Sequence, residues 1–227
     1  MKQKEPSTRK TRPKEYLIGQ PVSAQCKPVG RATKAYVGFD LEDNRLVFIK
    51  DQWRANAPGA HPEIETYQRL RTSNVPCVAT CLGGGDVVSS DQHGFQRTVN
   101  HRYLSPGIDE CERVHARLIL KEIGRPLETY RNSGELITVT YHAFLGKCTY
   151  FLWVVIRFIT RGFLAHAVAW KAGILHRDIS IGNILIDAES SDKNTWQGFL
   201  TDWDLCKHTE DLDNHVPSLP GRSVSER

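Results

Sequence analysis

An α+β chain in two unequal parts, strands with one helix first and helices second, is what the sequence predicts. Three observations predict it. Short apolar or alternating runs, separated by Gly, Asn and Asp turns, dominate up to about residue 122. Segments with helical apolar spacing dominate once Ile123-Gly124-Arg125-Pro126 has broken that pattern and marked a hinge. Within the second part, a loop carries Asp178 and Asn183, and another acid, Asp202, follows at the end of an apolar strand. The length of 227 residues suits one domain or two small lobes, and a 40% hydrophobic content is enough to bury a core.

Taken in order, residues 1–14 carry Lys2, Lys4, Arg9, Lys10, Arg12 and Lys14 against Glu5 alone, which reads as a disordered basic tail. Residues 22–29 and 35–39 alternate as two strands, and the turn Glu42-Asp43-Asn44 leads into 45–50, an apolar strand ending on Lys50. After a loop at 56–60, Pro62 opens a helix, because proline suits the first turn and Glu63 and Glu65 sit at its positive end. Ile64, Tyr67 and Leu70 give that helix one apolar face. Residues 78–88 and 97–103 read as strands around the Gly83-Gly84-Gly85 turn, within and beside a polar stretch at 89–112, and 117–120 is the next strand. Beyond the hinge, 127–130 and 134–144 are helical, 148–159 is a buried helix, and 162–171 is a stronger helix that ends at Gly173. Ile184-Leu185-Ile186 and Gly198-Phe199-Leu200 are short apolar strands, and 207–227 is expected to be a flexible tail.

Composition excludes several classes. A net charge of +4 is too mild to argue for nucleic acid. The basic start has no apolar stretch behind it, so a signal peptide is not expected. A membrane span needs about 20 nearly uncharged residues, and Lys147, Arg157 and Arg161 interrupt the most hydrophobic region. Neither nucleic acid nor a membrane is therefore expected as a partner. Cys77 and Cys81 have no second Cys or His pair at zinc-site spacing, so the six cysteines read as reduced thiols of an intracellular protein, cytoplasmic or nuclear.

The acidic positions carry the chemistry. Phosphoryl transfer from a nucleotide needs a carboxylate that receives the acceptor's proton, and oxygen ligands from adjacent segments that hold a hard cation against the phosphates. Asp178 fits the first role, and Asn183 with Asp202 fit the second.

On these residues the chain resembles the eukaryotic-type protein kinases, and most closely the fungal-type protein kinase family. The likeness rests on Ile49-Lys50-Asp51-Gln52-Trp53, on Gly173-Ile174-Leu175-His176-Arg177-Asp178-Ile179-Ser180, and on the triplet Asp202-Trp203-Asp204 where other kinases have Asp-Phe-Gly. It runs from about residue 22 to 206. It implies a protein-kinase-like two-lobed fold: an N-lobe of antiparallel sheet plus one helix at 15–122, and a partial helical C-lobe with the catalytic loop at 123–206. It further implies ATP and Mg2+ as cofactors, a Ser/Thr hydroxyl of a protein substrate as acceptor, Asp178 as base, and Asn183 and Asp202 as metal ligands. Lys50 becomes the lysine on the α- and β-phosphates, held by a helix glutamate; Glu63 is favoured over Glu65, because Tyr67 and Leu70 follow it at helical spacing. Gly30, Ala32, Ala35 and Val37 align with the phosphate lid, adenine is expected on the backbone around Lys121 and Ile123, and Val37 and Leu185 are its apolar cover.

The departures matter. Two lid glycines are alanine, Asp204 replaces a glycine, and Ser180 stands where many Ser/Thr kinases carry a lysine. No A-P-E follows Asp204, and 145–161 has no counterpart in the family pattern, so a shortened member is expected. Two other readings remain open on the sequence: a pseudokinase that binds nucleotide or partner without turnover, and a small-molecule kinase resembling the choline and aminoglycoside kinases.

Overall fold

The computed structural model describes residues 14–24, 30–90, 94–99, 102–103, 111–145, 164–188 and 197–212. The expected helix at 148–159 and most of the two expected tails lie outside them. The chain is α+β with antiparallel sheets and few helices.

The large sheet is built from β1 (Tyr16–Ile18), β2 (Ser23–Ala24), β3 (Lys34–Asp40), β4 (Arg45–Ala55), β5 (Cys81–Asp86) and β6 (Arg113–Leu120), in the order β1-β3-β4-β6-β5 with β2 beside β3. Strand alternation gives β4 two distinct faces. Val47 and Ile49 pack with Ile119, Tyr16 and Tyr36 on one. Phe48, two residues before Lys50, joins Leu118, Leu120, Tyr67 and Leu70 in the main core on the other. Helix α1 (Glu63–Thr72) covers that second face through Tyr67 and Leu70.

Several expectations need correction. The strand read as ending at Lys50 runs on to Ala55, because β6 pairs with it through Ala55↔Arg113; Lys50 is therefore mid-strand. Only Ser23–Ala24 of 22–29 is strand among the described residues. Among the described residues of 97–103, Arg97 makes a single bridge to Val114 and no strand forms. Lys14 is not part of a loose tail: its ammonium pairs with Asp40 at 3.1 Å and Asp43 at 2.7 Å.

The hinge is itself a strand. Residues Gly124–Pro126 form β7, paired with β9 (Ile184–Asp187), which pairs in turn with β10 (Gly198–Leu200). Helices α2 (Ser133–Leu145) and α3 (Leu164–Lys171) follow β7, after a 3-10 turn at Leu127–Thr129 where a longer helix was expected. Gly173, at φ +75°, takes a left-handed conformation just beyond α3 and leads into β8 (Ile174–Leu175). Part of the presumed C-terminal tail is ordered too, since β11 (Lys207–His208) pairs with β8.

The β9–β10 pair lies against α2 so closely that position 198 has room for hydrogen only. A Cβ there would stand 2.5 Å from Val139 Cγ1 and 2.6 Å from the Val139 carbonyl. Gly198→Ala is expected to cost about 1–3 kcal/mol, the range for an overpacked core. Gly19→Ala, where nothing lies within 4 Å, should stay within about 0.5 kcal/mol. Urea unfolding of both variants checks this; equal losses would contradict the packing described.

Candidate functional site

The site is built around one ammonium group. The alternation of β4 turns Lys50 and Gln52 toward α1, whose first residue is Glu63. Lys50 Nζ donates to Glu63 Oε2 at 2.8 Å and to Asp202 Oδ1 at 2.6 Å. Gln52 Nε2 donates to the same Glu63 oxygen at 3.0 Å, and the Trp203 backbone N–H reaches Glu63 Oε1 at 3.2 Å. Glu63 is buried and fully engaged, whereas Glu65 is exposed. Burial alone would lower the Lys50 pKa, but the carboxylates of Glu63, Asp204 and Asp202 reverse this and hold it well above the ordinary lysine value. Burial likewise works to raise Asp202, and the Lys50 ammonium overrides it, leaving that carboxyl far below its usual range.

The second sheet brings the 176–183 loop to the same place. Register pairs Leu200 with Ile184, so Asn183 and Thr201 emerge at one end of β9 and β10, and the Thr201 N–H bonds the Asn183 carbonyl at 3.0 Å. Asp202 follows directly, at φ +64°, an unfavourable conformation for a non-glycine residue. Its position is fixed from both sides: Lys50 takes the side chain, and Trp203 is buried beneath it, with its indole N–H on the Leu200 carbonyl at 3.3 Å. Asn183 Nδ2 donates to the Asp178 carbonyl at 2.7 Å, which fixes the amide by its nitrogen and keeps its oxygen for an acceptor role. Asp178 is half-buried on the same loop.

His176 links loop and triplet. Its Nε2 donates to the Thr201 carbonyl at 3.0 Å, its Nδ1 accepts from the Asp178 N–H at 3.3 Å, and its ring meets Trp203 edge-on at 4.5 Å. Both nitrogens are thus committed in the neutral tautomer.

Among the residues expected on the lid, Gly30 and Ala32 have φ +115° and +43°, and Ala35 is the cross-strand partner of Lys50. Alanine at the positive φ of position 32 carries strain that a glycine would avoid. Val37 is half-buried opposite Phe48. At the expected adenine edge, the Lys121 N–H donates to the Thr80 carbonyl at 2.9 Å and the Ile123 carbonyl accepts from Ala188 at 3.1 Å, so these two backbone groups are already engaged. Leu185 lies against Gly124, where an added Cβ would stand 2.5 Å from the Leu185 Cβ.

Two site residues were not singled out from the sequence. Gln52 could have been found, since it is two positions from Lys50 on the same strand face. Arg31 could not: it lies in the loop before β3, and its guanidinium pairs with Asp204, 173 residues away. Elsewhere, His61 at the start of α1 donates to Asp211 at 2.6 Å and stacks on His208, joining α1 to the segment after the triplet. The three could hold a cation only after rearrangement: the two rings are nearly parallel at 3.8 Å, so one ion cannot lie in both ring planes.

The residues present suit a hard divalent cation. All nearby donors are oxygens, from Asp202, Asn183 and Asp204, and Asp204 Oδ1 is buried without a hydrogen-bond partner. Among the described residues, no helix is long and apolar enough to cross a membrane, and Cys77, Cys81, Cys111 and Cys206 are in no disulfide.

Burial lowers the His176 pKa. A histidine held neutral in the fold contributes stability that is complete above its unfolded value of about 6.5 and is lost as pH falls. Wild-type unfolding free energy should therefore fall below about pH 6.5 more steeply than that of His176→Gln. The difference in slope is at most about 1.4 kcal/mol per pH unit, one proton's share. Urea titrations at stepped pH values measure it, and parallel lines would contradict the assignment.

A search of the curated proteins finds no match for the chain. A family model described as fungal protein kinase matches it over residues 1–149 and 159–219. That match takes in Lys50, Glu63, the His176–Asn183 loop and the Asp202–Asp204 triplet, and the chain belongs to the fungal protein kinase family.

Proposed function

We propose that the chain binds ATP with Mg2+ and transfers the γ-phosphoryl group to a Ser/Thr hydroxyl of a protein substrate. The observation that carries this reading is the single buried ammonium of Lys50 bonded to Glu63 and Asp202 at once. A structural ion pair needs one partner; a lysine placed between a helix acid and an acid at a strand end matches the phosphate-binding arrangement of kinases. In this reading the large sheet with α1 is the N-lobe, and the elements after β7 form the C-lobe.

Each residue then has a task. Lys50 contacts phosphate oxygens, and Glu63, backed by Gln52 and the Trp203 N–H, keeps it extended. Asp202 and Asn183 hold Mg2+, which when bound neutralises charge on the phosphates. Asp178 accepts the proton of the attacking hydroxyl and orients it. Gly30, Ala32, Ala35 and Val37 would cover the phosphates, and Val37 and Leu185 would cover adenine, which would use the backbone groups at Lys121 and Ile123 that Thr80 and Ala188 do not engage. An intracellular location, cytoplasmic or nuclear, belongs to the same reading.

The test uses γ-labelled ATP offered separately to a generic protein substrate and to a metabolite pool. Label on protein, reduced about 10²–10⁴-fold in kcat by Asp178→Ala, is the expected result. Label only on a metabolite replaces this reading with a small-molecule kinase. Nucleotide binding without transfer replaces it with a pseudokinase, and a rate unchanged by Asp178→Ala removes the base from the mechanism.

A further inference from the structure

The loop carrying Arg31 is anchored rather than loose. The Arg31 carbonyl accepts the Trp53 N–H at 2.8 Å, three residues beyond Lys50 on β4. From this anchor the guanidinium crosses to Asp204 and bonds its Oδ2. The Asp204 side chain is only 7% exposed, yet its second oxygen, Oδ1, is buried with no partner. Asp202, two residues earlier, accepts the Lys50 ammonium at 2.6 Å, and the Asp204 carboxylate acts on the same ammonium.

The charges around this point do not balance. Lys50 and Arg31 supply two cations, while Glu63, Asp202 and Asp204 supply three carboxylates. Two neighbouring carboxyl groups with one orphaned oxygen form a costly arrangement unless a proton or a further cation joins them. All the available donors are hard oxygens, which suit Mg2+ or Mn2+. The guanidinium is the group that stands in the way, and its fork matches phosphate oxygens as well as it matches a carboxylate.

We infer that Asp204 is a second divalent-cation ligand beside Asp202, and that Arg31 is its built-in competitor, masking the carboxylate until a cation displaces the guanidinium onto the phosphates of the nucleotide. The phosphate half rests on the function proposed above; the cation half does not. The pairing also gives a reason for Asp at a position where other kinases have glycine.

The probe is Mn2+ alone, titrated into the full chain without nucleotide and followed by the electron paramagnetic resonance signal of the free ion. Arg31→Gln should tighten Mn2+ binding roughly tenfold by removing the competitor, and Asp204→Asn should weaken it by a similar factor, the usual scale of such couplings. The double variant should bind as weakly as Asp204→Asn. If Arg31 merely braces the loop, both single variants shift affinity in the same direction, and the inference fails. If Arg31→Gln strengthens binding equally with and without Asp204, the effect is diffuse charge and the inference fails as well. Arg31→Lys keeps the charge without the fork and should fall between wild type and Arg31→Gln; melting curves identify any variant that has lost its fold. A separate titration of ATP at saturating Mn2+, where the cation has already displaced the guanidinium, should show weaker binding to Arg31→Gln. Absence of ATP binding in every form overturns the phosphate half and the proposed function, while the Mn2+ results still decide the cation half.

Discussion

The contact of the Lys50 ammonium with Glu63 and Asp202 is the constraint on which the rest of the site depends. It joins three elements that share no local sequence: the middle of β4, the first turn of α1 and the turn after β10. An ammonium taken from water is expensive unless its donors are met, and removing one partner of a buried pair typically costs about 3–5 kcal/mol. The sheet, the helix and the triplet are therefore fixed relative to one another by a group that the same low-dielectric setting makes a strong anion ligand. Stability and chemistry draw on the same atoms here.

The neighbouring structure keeps that contact in register. Gln52 and the Trp203 N–H hold the glutamate, so Glu63 cannot turn away without leaving two donors unmet. Trp203 fills the space beneath Asp202 and meets His176, which bonds both the Asp178 N–H and the Thr201 carbonyl. A displacement of the triplet is thereby felt at the 176–183 loop through one neutral imidazole. The left-handed backbone of Asp202 persists because packing on one side and an ion pair on the other outweigh its local cost.

How much of this was legible in the sequence depended on whether the signal was local. Asp178, Asn183 and Asp202 stand at informative spacing on two neighbouring segments, and the helical period pointed to Glu63 ahead of Glu65. The extension of β4 to Ala55 was hidden, because Asp51-Gln52-Trp53-Arg54 is polar and becomes strand only by pairing with β6. Gly124–Pro126 read as a hinge for the same reason: glycine and proline are breakers locally, yet β9 supplies the pairing that makes them strand. Arg31 carried no signal at all. Its importance comes from a partner at the far end of the chain and from a carboxylate oxygen left without a donor.

A calorimetric titration of ATP, with and without Mg2+, into the wild-type chain and into Asp202→Asn tests the site at its centre. Heat of binding should depend on the metal and vanish in Asp202→Asn while that variant still melts cooperatively. Binding of equal strength in both proteins, or no binding to the wild type under any metal condition, would contradict the proposed site.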